Sequence, residues 1–167
     1  MTRFSLRTLL LATTVVAVIL AIPIRRAVMQ KRGREWIATQ KGHITFSHKY
    51  DAARAEYDSD AELRTPPWLI NLVGIDFFDS VDTVVLDNKM VDDLTPITDL
   101  RDLRCLAISI EIDGKLDFAP LLALPKLRHL HLDFTNITAE RLAKLRLLLP
   151  RVRVDASNHP PPEQADH

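Results

Sequence analysis

Leu127-Arg128-His129-Leu130-His131-Leu132 is the stretch that decides how this chain folds. Its aliphatic residues stand at the first, fourth and sixth positions, with polar residues between them. The same spacing recurs in Val81-Asp82-Thr83-Val84-Val85-Leu86, Leu103-Arg104-Cys105-Leu106-Ala107-Ile108 and Leu149-Pro150-Arg151-Val152-Arg153-Val154. The copies start at 81, 103, 127 and 149, so the periods are 22, 24 and 22. All twelve template positions are aliphatic, far beyond chance for residues that make up about a third of a typical chain.

A repeat of roughly 20–29 residues on the template L-x-x-L-x-L reads as a leucine-rich repeat, one short strand and one return segment per copy. On each strand the alternating aliphatics turn into a core and the residues between them face out. No single copy can bury its own apolar side, so the copies must stack. The expected core is Leu103, Leu106, Ile108, Leu127, Leu130, Leu132, Val152 and Val154. Thr95-Pro96 reads as an N-cap and first-turn pair ahead of Ile97 and Leu100. Thr138 is placed to cap a helix over 139–148, where Leu142, Leu145 and Leu149 recur at spacings of three and four. Residues 110–122 break the pattern, and a bulge is expected there.

Working outward, Pro66-Pro67 pre-sets a helix start for the apolar run 68–73, which Gly74 ends. Trp68, Phe77 and Phe78 are expected to form an amino-terminal cap over the first repeat. His43 to Ser47 alternates and reads as a strand. The charge-rich stretch 51–64 reads as a solvated loop. The last residues, 156–167, hold Pro160-Pro161-Pro162 among polar residues and read as a disordered tail.

The beginning of the chain has a different character. Thr8 to Ile24 is seventeen residues without a charge, about 25 Å as a helix, slightly under the hydrocarbon core of a bilayer. Arg7 can reach the headgroups from one residue outside. A cleaved signal peptide is the competing reading, but its apolar run would be shorter, and Ile19 stands where a peptidase wants a small residue. A buried helix of a soluble protein is the third. The carboxy-terminal flank carries Arg25, Arg26, Lys31, Arg32 and Arg34, against Arg3, Arg7 and the α-amino group before the span. Counted literally, this places residues 35–167 in the cytoplasm by a margin of two charges, which leaves the side open. The chain thus divides into an anchor and basic stalk (1–34), a cap region (35–80), repeats (81–155) and a tail (156–167).

The order of these parts resembles the bacterial membrane-anchored leucine-rich-repeat proteins with short arrays. The segment Arg3-Phe4-Ser5-Leu6-Arg7-Thr8-Leu9-Leu10-Leu11 carries that resemblance, with Leu132-x-x-Thr135-x-Ile137-Thr138 as a repeat turn. Leu147-Leu148-Leu149-Pro150 before Val152-Arg153-Val154 resembles the ending of such arrays. The resemblance implies an α/β fold: a short right-handed solenoid used for binding, with strands at 81–86, 103–108, 127–132 and 149–154 and one transmembrane helix before it. Where the family usually places Asn after the strand, this chain has Lys89, Glu111 and Thr135, so the buried amide ladder is missing.

The whole chain is neutral, with 22 basic and 22 acidic residues, but the halves differ. Residues 1–34 hold seven bases and no acid, which leaves 15 bases against 22 acids, a net of −7, beyond them. A domain so charged repels duplex phosphates, and no nucleic-acid role is expected. The outward strand positions are the candidate binding residues: Asp87, Cys105, then His129, His131 and Asp133, then Arg151, Arg153 and Asp155. His129, His131 and Asp133 share a face, but their Cα atoms run along roughly 13 Å of strand, too far to close on one metal ion. The lone Cys105 has no evident base and orienter. Four scattered glycines build no phosphate loop, and no nucleophile elbow or zinc-protease motif occurs. No cofactor, metal or small-molecule substrate is indicated. The expected function is non-catalytic contact with an unidentified protein partner at a membrane reached through residues 8–24. A membrane-attached spacer that assembles with copies of itself is the alternative, and an enzyme with an unrecognised site the more remote one.

Overall fold

A computed structural model describes residues 6–51, 56–58, 60–87, 91–110, 116–133 and 135–157. The chain is mixed α/β: one long apolar helix at the amino terminus, then a five-stranded, mostly parallel sheet. Helix α1 runs over Leu6–Thr39 without interruption, through Pro23. Its first part is long and apolar enough to cross a membrane and is not buried. Strand β1 (His43–Phe46) follows, then a two-strand ladder of β2 (Tyr50–Asp51) and β3 (Glu56–Tyr57), and α2 (Pro67–Val73). The remaining elements are β4 (Val81–Leu86), β5 (Cys105–Ile108), β6 (His129–Asp133), α3 (Ala139–Leu148) and β7 (Arg153–Ser157).

The sheet order is β1-β4-β5-β6-β7. The last four strands are parallel, and β1 joins β4 antiparallel. Between the parallel strands the chain returns through 3-10 turns at Thr95–Asp99 and Ala119–Ala123, and through α3. Asp93 and Asp117 each accept the N–H two residues on, from Thr95 at 2.7 Å and Ala119 at 2.9 Å. That common turn belongs to a second repeat, Asp93-Leu94-x-Pro96-Ile97 and Asp117-Phe118-x-Pro120-Leu121. Residues 111–115, the heart of the expected bulge, lie outside the described residues. Thr138 caps α3 as expected, accepting the Arg141 N–H at 3.3 Å.

The core lies between the sheet and the return segments. Leu103, Leu106, Ile108, Leu127, Leu130, Leu132 and Val154 are all buried, with Ile97, Leu121 and Leu145 across from them. Several expectations need correction. The fourth strand is β7 at 153–157 and not 149–154, because Leu149 ends α3 and Leu130 pairs with Val154. The Val152 N–H donates to Leu149 as the Leu103 N–H does to Leu100, so Val152 is a turn residue and only half-buried. The final period is therefore 24. Ala156 and Ser157, expected in the tail, belong to the strand; the rest of the tail, 158–167, lies outside the described residues.

The cap is also different. Trp68 is 66% exposed, and Phe77 and Phe78 are only half-buried. The open end of the first repeat is instead covered by β1 and by the second half of α1, whose Ile37 is 1% exposed. The expected stalk is thus part of the domain, and the boundary at residue 34 falls inside α1. The Arg34 guanidinium pairs with Asp76 at 2.8 Å, Gln30 donates to the Asp79 carbonyl at 2.7 Å, and Arg26 pairs with Asp102. Gly33 lets the helix approach: a Cβ there would stand 2.8 Å from Leu100 Cδ2. Helix α1 ends in a Schellman turn, Gly42 N–H to Ile37 carbonyl, with Lys41 at φ 54°. Gly42 faces the backbone of β4, where a Cβ would meet the Val85 carbonyl oxygen at 2.8 Å.

Candidate functional site

One side of the sheet is packed and the other is open. Side chains alternate along a strand, so the partners of the buried aliphatics form the open face. The strand registers arrange them in rows. The first row is Thr45, Thr83, Cys105, His129 and Arg153; the second is His43, Val85, Ala107, His131 and Asp155. Asp133 and Ser157 begin a third. Two of these contributors, His43 and Thr45 of β1, were missed from sequence, since a strand lying outside the repeat gives no sign of where it docks.

The sequence-derived candidates come together with one exception. His129 and His131 stack with their rings 6.2 Å apart and 8° from parallel. His131 Nδ1 lies 3.9 Å from Asp155 Oδ2, and Arg153 Nε lies 3.1 Å from the same oxygen. Asp133 accepts from the Ser157 hydroxyl. Asp87 is exposed at the far end of β4, 3.8 Å from His43 Nε2. Arg151 is the exception: it sits in the turn before β7, off the face. The two-residue correction in register leaves Arg153 and Asp155 where they were expected, because a shift of two preserves the face.

The face is uneven. Val85 and Ala107 make its middle small and apolar, while β6 carries two histidines and an aspartate and β7 an arginine, an aspartate and a serine. The Cys105 thiol is half-buried; desolvation chiefly, and then the Asp82 carboxylate, push its pKa up against a hydrogen bond from Thr83. It stays protonated at neutral pH, the opposite of what a nucleophile needs. Among the described residues no three His, Cys, Asp or Glu side chains gather as a metal site.

A second polar cluster was not legible in sequence. The Asp79 carboxylate, buried, accepts from Ser47 and contacts His48 Nδ1, and Ser47 lies 3.1 Å from the Ser80 hydroxyl. These are triad residue types in a non-triad order. The serine hydroxyl donates to the carboxylate and not to the imidazole, so the Ser-to-His hydrogen bond of a catalytic triad is not formed. The cluster ties the end of β1 to the start of β4. Thr135 is fully buried, and its hydroxyl finds no partner among the described residues.

Compared with family models, curated proteins and solved structures, the chain matches none.

Proposed function

We propose that this protein is a single-pass membrane protein that presents a short leucine-rich-repeat solenoid to a protein partner and catalyses no reaction. Three features support it: α1 with its uncharged span, parallel strands recurring every 22–24 residues, and return segments confined to one side of the sheet. The observation that carries the binding role is the open face itself, where His129, His131, Arg153 and Asp155 stand in register and partly exposed. Donors and acceptors of both signs, fixed on a rigid sheet beside a small apolar centre, suit a mixed polar protein surface. The anchor keeps every encounter at the membrane.

The test is capture of the tagged full-length chain from membranes of its source, parent beside a His131→Ala/Arg153→Glu variant. A partner held by the parent and lost by the variant is the expected result. The same set of proteins on both would overturn the face assignment. Self-assembly is favoured by one observation: among the described residues β7 pairs only with β6 and no strand lies along its other edge. Sedimentation of the detergent-solubilised chain as oligomers, unchanged in the face variant, would favour that second reading.

A further inference from the structure

We infer that the edge of the sheet where the parallel strands begin, together with α2, rests on an anionic lipid surface. That surface belongs to the bilayer crossed by α1, so the inference rests on the membrane reading given above.

The direction of α1 comes first. Ile37 lies by Gly42 near the far end of β4, Gly33 by Leu100, and Arg26 by Asp102 in the turn before β5. Traced toward its amino terminus, the helix therefore leaves the domain at the edge where the strands begin. Met29 stands five residues beyond the end of the uncharged span, about 7.5 Å along the axis, and one headgroup layer is about 5–7 Å thick. Ile22, Arg25, Arg26 and Met29 line a groove of about 500 Å³ with Arg101, Pro125 and Lys126 of the turns. The anchor thus sets these turns at headgroup depth.

Charge at this edge is layered. Asp102 is 9% exposed beneath Arg26 and Lys126, which are 56% and 55% exposed. Asp82, also buried, lies beneath Arg104. Arg101, Arg128 and Arg151 are exposed in or beside successive turns. Asp82 and Asp102 are inside and their bases outside. Asp99, half-exposed in the groove, is outnumbered there by Arg25, Arg26, Arg101 and Lys126, so cations dominate the outward face. At the opposite edge Asp87, Asp92, Asp93 and Asp117 are exposed, with Lys41 beside the end of β4.

Apolar groups complete the pattern. Phe77 and Phe78 share a second cleft with Ile22 and Pro23, which brings the preceding helix α2 close to the point of exit. On α2, Trp68 is 66% and Leu72 74% exposed. Across the edge, Leu122 and Leu148 line a cleft with Pro125 and Arg151, and Leu147 is 82% exposed. A soluble polyanion would need the arginines only. A bilayer surface uses both, taking the phosphates on the cations and the aromatic and aliphatic groups at the interface.

The chain has two tryptophans, so a Trp36→Phe variant reports on Trp68 alone. The full-length variant is reconstituted into phosphatidylcholine vesicles, with and without phosphatidylglycerol, using lipids brominated near the headgroup end of their chains. The expected result is Trp68 quenching in the anionic vesicles, and its loss when Arg101→Glu, Arg128→Glu and Arg151→Glu are added without change in circular dichroism. Protein that floats with the vesicles after an alkaline wash but shows unquenched Trp68 would overturn this inference and leave the anchor standing. Protein that fails to float with either vesicle would overturn both. Equal quenching in the two vesicles would overturn the anionic assignment.

Discussion

Leu130 and His131 are neighbours in sequence and opposites in environment. Leu130 is fully buried, while His131 is partly exposed on the open face. Leu130→Ala should cost about 2–5 kcal/mol of stability, through lost burial and the cavity left behind. His131→Ala should stay within about 0.5 kcal/mol. Thermal melts of the detergent-solubilised chain check both, and equal costs would place the two on the same side of the sheet. Cys105 offers a second residue-scale check. With its thiol pKa raised by burial, iodoacetamide at neutral pH should modify the folded chain much more slowly than the unfolded one. Rapid modification of the folded chain would mean an activated thiol.

Elements dock here through absent side chains as much as through present ones. At Gly42 an added Cβ meets the Val85 carbonyl, a backbone atom that cannot step aside. Gly42→Ala should therefore cost about 1–3 kcal/mol, as overpacking does. At Gly33 the obstacle is the Leu100 side chain, and alanine's better helix propensity returns about 1 kcal/mol, so Gly33→Ala should be the milder change in the same melts. Neither glycine announces this in sequence. What was legible was periodic: the β4, β5 and β6 registers, β1 as a strand, and α3 with its Thr138 cap all follow from local spacing. What was not legible depended on competition. The aliphatic template fits 149–154 perfectly, yet α3 claims Leu149 for its own last turn, so the strand starts later. Trp68 looked like core because it is large and apolar, but β1 and Ile37 had already covered the end it was meant to close. The open-face rows were half legible, since parity along each strand is local while the arrival of β1 is a long-range event.

At the scale of the whole molecule, α1 is both the apolar helix and a wall of the domain. Gln30, Gly33, Arg34 and Ile37 on one stripe of it meet Asp76, Asp79, Leu100 and Gly42. Cutting the chain after residue 34 would remove most of that stripe. A fragment 35–157 should melt at lower temperature than a fragment 25–157, by circular dichroism, and equal melting would mean that the helix contributes nothing to the domain. A rigid helix entering the domain also fixes which way the open face looks from the membrane. The central claim is that this face meets a protein partner. Its most direct test is a photo-crosslinking amino acid in the full-length chain, placed at His131 on the face and, separately, at Asp117 on the return side, in membranes of the native source. A discrete adduct from position 131 and none from 117 is the expected result. No adduct from 131, or the same adducts from both positions, would contradict it.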